Sequence, residues 1–319
     1  MALGIGIKIS HPSFSPQFSG LAQSCPDYQA EISIAPFSGD PRHYRFSDKS
    51  FKGVPYSSLK TWNTPSTSKE DYLKSLEQAI SQIKSGNFEK VVLSRRKFFP
   101  LGKESVSAIL STTPKRLENK FCYHLHLLEE NKVWIGATPE ILLSKKQQDF
   151  LTFSLAGTAL SENDFGPKEF EEQEFVTKYI IDQVPSNSIK VSQALPTKFK
   201  NLFHLKSEIT WHDENNNATY YLNKLHPTPA VCGIPRSSTQ AFIIEEEQVP
   251  RELYTGYIYI KSLEKELAFV NLRCGQLFNN GVLIYAGGGI TADSNPEAEW
   301  QETENKINAT LIDIINGHE

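Results

Sequence analysis

Two apolar rhythms alternate along the chain. Tyr72, Leu76, Ala79, Ile80 and Ile83 recur at the three-to-four spacing of one helical face. Ser68 with Asp71 three residues on resembles a capping box before them, and Gly86 follows as a stop. The segment 88–99, β-branched around Val91-Val92-Leu93, predicts a strand. Apolar runs at 121–128 and 132–137 flank Glu129-Glu130-Asn131 and predict a hairpin; 151–155 is a further strand. A helix is expected over 168–184, with Phe175, Val176, Tyr179 and Ile180 as its apolar stripe. Ser237 and Gln240 offer a second capping box, for a helix reaching about Glu247. Strands at 257–260, 267–272 and 282–286 come next, and Asn295-Pro296 opens a last helix that stops near Gly317.

The strands arrive in groups between helices, which favours a mixed or antiparallel α/β arrangement over a doubly wound parallel sheet. Residues 38–68, rich in Ser, Pro, Lys and aromatics, read as irregular. No linker divides the chain, so one large domain is expected, with residues 1–67 supplying N-terminal strands and the irregular segment.

Composition narrows the class. The 319 residues are 39% hydrophobic and carry a formal net charge of −4, which fits a globular protein and leaves no basic footprint for nucleic acid. The local cluster Arg95-Arg96-Lys97 closes an apolar run and is expected to fray into solvent. Cys25, Cys122, Cys232 and Cys274 lie far apart without metal-binding spacing, as expected of free thiols in a reducing compartment. Neither a signal peptide nor a membrane-length apolar run is present, so a cytoplasmic location is expected.

Candidate chemistry gathers at helix starts. Glu299, Glu302 and Lys306 project from one face of the last helix, and Glu169 and Glu172 repeat the i, i+3 spacing near the start of another. Such pairs suit either a solvated, dipole-matched helix start or a hard cation such as Mg²⁺. Gly287-Gly288-Gly289 follows a strand and is read as a loop, either a tight turn or a place where backbone N–H groups approach an anion. Lys90 interrupts a strand entrance and Glu140 sits at the edge of apolar sequence. Each is either a solvent-facing residue or, if buried, a general base and a general acid respectively. His226, in a proline-spaced loop, has no partner at ligand spacing.

Taken in order, these segments resemble the chorismate-utilising enzymes, most closely the isochorismate synthases. The matching pieces include Phe88-Glu-Lys-Val-Val-Leu-Ser-Arg95, Ala137-Thr-Pro-Glu-Ile-Leu-Leu143, Leu155-Ala-Gly-Thr158 and Glu172-Gln-Glu-Phe-Val176. They continue through Leu225-His-Pro-Thr-Pro-Ala-Val-Cys-Gly233, Arg251-Glu-Leu-Tyr-Thr-Gly256, Asn271-Leu-Arg-Cys274, Tyr285-Ala-Gly-Gly-Gly-Ile290 and Glu299-Trp-Gln-Glu-Thr-Glu-Asn-Lys306. The resemblance covers roughly residue 68 to the C-terminus and makes 68–319 the chorismate-binding region. It implies an α/β domain of two stacked, mostly antiparallel sheets with helices outside. It also implies Mg²⁺-dependent conversion of chorismate to isochorismate, with water adding at ring carbon 2 and the hydroxyl leaving carbon 4.

By that similarity Lys90 activates water and Glu140 protonates the departing hydroxyl. Glu172 and Glu302 are implied Mg²⁺ ligands, with Glu169 and Glu299 acting through bound waters. Arg273, Gly287, Lys306, Gly157 and Thr158 would cradle the substrate's anionic groups, beside Ala230 and Tyr254. Lys90 and Ala156 stand where ammonia-using relatives carry glutamine and lysine, so no amidotransferase subunit is expected, and a monomer is. Ala230 matches isochorismate synthases, whereas Tyr254 and Leu272 match salicylate synthases, which go on to eliminate pyruvate. A chorismate-binding protein without turnover is the alternative of another class. Menaquinone, siderophore and salicylate routes are all compatible. Gln173 replaces the histidine usual in relatives.

Overall fold

The computed structural model describes residues 4–48, 50–115, 117, 120–159, 161–184, 188–199, 202–247 and 249–316. The N-terminal part runs β1 (Gly4–His11), β2 (Phe14–Ser24), β3 (Ile32–Ala35), β4 (Arg42–Asp48) and α1 (Lys69–Lys84). Then come β5 (Lys90–Pro100), α2 (Lys103–Ser111), β6 (Phe121–Leu127), β7 (Lys132–Thr138), β8 (Ile141–Lys146), β9 (Asp149–Ala159) and α3 (Pro167–Ile181). The middle continues with β10 (Lys190–Val191), β11 (Leu195–Phe199), β12 (Leu202–His212), α4 (Ala218–Leu225), β13 (Gly233–Ile234) and α5 (Arg236–Glu246). It closes with β14 (Tyr257–Lys261), β15 (Glu266–Val270), β16 (Cys274–Phe278), β17 (Gly281–Ile290) and α6 (Pro296–Asn316).

Every strand pairing among the described residues is antiparallel. One layer runs β13-β5-β17-β16-β7-β6-β1-β2. The other runs β4-β3-β14-β15-β8-β9-β12, with β10 and β11 sharing the far edge of β12. Pairing of β2 with β4 joins the layers at one margin. They face each other across a core in which Ile5, Ile7, Ile9 and Leu125 of the first meet Ile32, Ile34, Ile258 and Leu267 of the second. Period-two alternation aims those side chains inward. Phe121 and Phe269 stack across the layers at 4.4 Å. Helices cover the outside: α2 and α6 on the first layer, α3 and α4 on the second, and α1 over the start of β5.

Local chemistry explains the helix ends. The Asp71 N–H donates to Ser68 Oγ at 3.0 Å and the Ala298 N–H to Asn295 Oδ1 at 3.0 Å, so α1 and α6 start where the sequence predicts. The Ser237 capping box does not form. Helix α5 starts at Arg236 with Pro235 as N-cap, because the Pro235 carbonyl already accepts from the Thr239 N–H, which leaves Ser237 inside the first turn. In α3, Val176 and Ile180 are buried, but Phe175 is 45% exposed.

Two further expectations are corrected. Residues 38–68 contain β4, whose mixed polar sequence hides a strand held on both edges, by β2 and β3. The basic cluster does not fray. Arg95 is 3% and Arg96 9% exposed, with Arg95 lying 3.8 Å over Trp300 and pairing with Glu304 at 2.5 Å, and Arg96 lying 4.8 Å over Trp62. A guanidinium tolerates such burial because its planar face stacks while its edge hydrogen-bonds. No described helix is long and apolar enough to cross a membrane, and the four cysteines are free thiols.

Candidate active site

Lys90 opens β5 where the strand is clasped on both edges. Lys90 faces Ile234 of β13, and Ile290 to Gly287 of β17 run beside Val91 to Ser94. The three glycines are therefore strand residues within β17, not a loop, which corrects the sequence reading. None has a positive φ, so space rather than backbone freedom is what they supply. A Cβ on Gly289 would stand 2.8 Å from Lys90 Cε and 3.4 Å from its Nζ; one on Gly288 would stand 3.0 Å from Glu299 Oε2. One on Gly287 would stand 2.7 Å from the Leu93 carbonyl and 3.2 Å from the Tyr254 hydroxyl. The bare strip lets an ammonium, a carboxylate and a phenol close on one stretch of backbone.

Helix α6 delivers the next groups. Glu299 accepts from Ser294 Oγ at 2.8 Å, and burial, reinforced by Glu302, raises its pKa against the opposing pull of Lys306 and Lys90. Lys306 Nζ pairs with Glu302 at 2.5 Å and donates to the Gly287 carbonyl at 2.9 Å, tying helix to strand. Arg273, between β15 and β16, donates weakly to the Lys306 carbonyl at 3.4 Å. Glu140 lies in the field of the same arginine. Burial raises its carboxyl to about 7 although Arg273 pulls the other way, so it keeps a proton near neutral pH. Lys306 thus touches Glu302 and, through its carbonyl, Arg273, while Lys90 acts on Glu299 and Arg273 on Glu140 through their fields alone.

The second layer contributes a wall. Gly157, with φ +67°, packs its Cα onto the first turn of α3, where a Cβ would lie 3.0 Å from Glu169 Cβ. Glu169 Oε2 accepts from the Gly166 N–H at 2.7 Å and so caps its own helix. His204, which the sequence reading passed over, has Nδ1 3.0 Å from the Gly157 carbonyl and senses Lys306, Glu302 and Arg273. Its signal was faint: a lone histidine in an alternating strand, at a register shift that only pairing reveals. Ala230 sits half-buried in the loop ahead of β13. The side chains of Glu172 and Thr158 lie outside the described residues. His226 has Nε2 3.1 Å from the Pro36 carbonyl and packs on Tyr257, a core position.

Behind the site a buried ion pair fixes the frame. Arg251 forks onto Glu247 at 2.8 and 2.6 Å and donates to the carbonyls of Val231 and Val92, while Glu247 also accepts from the Ser94 N–H at 2.7 Å. One guanidinium therefore locks α5, the loop ahead of β13 and the open edge of β5 together.

The two-layer antiparallel fold gathers the cations Lys90, Lys306 and Arg273 with carboxylates and a carboxyl raised to about 7, an arrangement suited to acid–base chemistry on an anion. The family model described as chorismate binding enzyme matches residues 41–315, and the chain belongs to that family. The isochorismate synthase MenF of Escherichia coli K12 is 29% identical over 253 residues, covering 75% of this chain and 58% of that protein. The isochorismate synthase EntC of the same organism is 30% identical over 221 residues, covering 63% of this chain and 56% of that protein. The chain thus spans less than two thirds of the length of these curated relatives. The solved structure of Escherichia coli MenF, a menaquinone-specific isochorismate synthase, superposes with a TM-score of 0.73 at 21% identity over 98% of this chain and 88% of that one.

Proposed function

We infer that this chain is an isochorismate synthase, an isomerase that converts chorismate to isochorismate. The observation that carries the reading is Glu140. A carboxyl holding its proton to about pH 7 at one end of a cationic cluster, with Lys90 at the other, is what an acid–base relocation of a hydroxyl requires. Chorismate carries two carboxylates; Arg273 and Lys306 supply fixed cations for them, as a preorganised anion cradle demands. In the proposed reaction Lys90 takes a proton from water as it adds at ring carbon 2. The double bonds shift, and Glu140 gives its proton to the hydroxyl leaving carbon 4. Tyr254, its hydroxyl against Gly287, walls the space beside that backbone.

The donor chemistry suits Mg²⁺. Glu299 and Glu302 repel each other on adjacent turns, and a divalent cation at their carboxylates would relieve that repulsion. Glu302 and Glu172 would ligate it, with Glu299 and Glu169 behind bound waters. When bound, the ion would anchor and polarise the ring carboxylate. Lys306, now paired with Glu302, would then be freed toward substrate.

Incubating the purified protein with chorismate and Mg²⁺ and resolving products by chromatography tests the reading. Isochorismate without pyruvate is expected. Pyruvate with salicylate as the main product would establish a salicylate synthase instead, and chorismate binding without product would establish a non-catalytic binder. Lys90→Ala should lower turnover by ~10²–10⁴-fold while chorismate binding persists.

A further inference from the structure

A second recess lies on the open edge of β5, apart from the Lys90–Glu140 cluster. Past β13 this edge has no strand neighbour among the described residues. Side chains and one backbone bond finish it: the Arg96 N–H donates to Thr67 Oγ1 at 3.2 Å, the Phe98 N–H to Ser66 Oγ at 2.9 Å and the Ser94 N–H to Glu247, while the Thr67 N–H donates to the Arg96 carbonyl at 3.0 Å. Between the 64–67 segment, α1 and the end of α5 a half-open cavity of about 250 Å³ remains.

Its floor holds a cation without a counter-charge at contact. Arg95 is matched by Glu304 and Arg251 by Glu247. Arg96 is buried on Trp62 and has the Tyr285 hydroxyl as its polar neighbour; it forms no ion pair among the described residues, and Glu252 acts on it from farther away. Ser66 and Thr67 each accept a backbone N–H, so each keeps a hydroxyl proton to donate. Tyr72, Leu93 and Tyr285 give buried apolar flanks, while Asp71 and Glu246 stand at the rim as acceptors.

We propose that this recess binds a small aromatic hydroxy-carboxylate. Its carboxylate would meet Arg96 and the Ser66 and Thr67 hydroxyls, its ring would lie against Tyr285 on the face of β5 that carries Arg96, and its hydroxyl would donate toward the acidic rim. An unmatched buried guanidinium gains a charge-assisted bond from such a ligand. The rim carboxylates disfavour a second negative charge, so dianions, chorismate among them, are excluded. The proposal does not rest on the isomerase reading.

The test is calorimetric titration of the full chain with 4-hydroxybenzoate, without chorismate or Mg²⁺. Saturable binding is expected, unchanged in Arg273→Gln, and weakened at least tenfold both in Arg96→Gln and in Ser75→Leu, which fills the recess from α1 without touching the arginine. Absence of saturable binding, loss in Arg273→Gln, or full retention in Ser75→Leu overturns the proposal. Inorganic phosphate binding as tightly as 4-hydroxybenzoate overturns the assignment of ligand class.

Discussion

Glu140 shows how far one carboxyl can be moved by its surroundings. Its ordinary pKa is 4.5, and burial lifts it to about 7. As an acid it works protonated, so kcat/KM should fall as pH rises through about 7. Glu140→Gln should remove that limb and lower kcat by ~10²–10⁴-fold, read from a pH–rate profile. The stability sign follows from linkage. The unfolded chain ionises near 4.5 while the folded carboxyl does not, so folding loses stability as pH climbs from there to about 7. Above pH 7 Glu140→Gln should therefore melt higher than the native protein by differential scanning fluorimetry. The sequence places Glu140 beside apolar residues but does not bury it; that needs distant segments such as β15, where the Val270 N–H donates to the Glu140 carbonyl. His204 was illegible for the same reason.

At the scale of the element, β17 is the instructive case. Three consecutive glycines read as a turn because the local signal is conformational freedom, yet they continue the strand for want of room on either face. Gly289→Ala should displace the flexible end of Lys90, abolishing turnover with little change in Tm. Gly287→Ala presses on the Leu93 backbone and should cost about 1–3 kcal/mol, measured by urea unfolding. The basic cluster teaches the converse. Arg95 and Arg96 look solvated in sequence, but Trp300 and Trp62, both distant in the chain, turn them into buried stacking partners. Arg251→Met would leave Glu247 buried without its guanidinium and should cost about 3–5 kcal/mol in the same measurement.

Across the whole molecule, the N-terminal strands are built into both layers. β1 lies between β2 and β6, and β3 pairs with β14. A chain cut to residues 68–319 should therefore lose the inner core of Ile5, Ile7, Ile9, Ile32 and Ile34 and fail to unfold cooperatively, monitored by circular dichroism. Most helices and the strands of the second half were readable because period and caps are local. β4, β8, β16, α2, α4 and the strands β10–β13 were not, since mixed polar or short runs become regular only beside their neighbours.

The sequence alone determined the antiparallel α/β character, the caps of α1 and α6, and which residue types could serve as base, acid and cation ligand, because those properties belong to single residues and their near neighbours. Tertiary structure decided that Lys90 leans over Gly289 toward Glu299, that Glu140 keeps its proton, and that Arg96 lies buried without an ion-pair partner among the described residues. Burial and charge proximity are properties of packing between distant segments, and no local pattern encodes them.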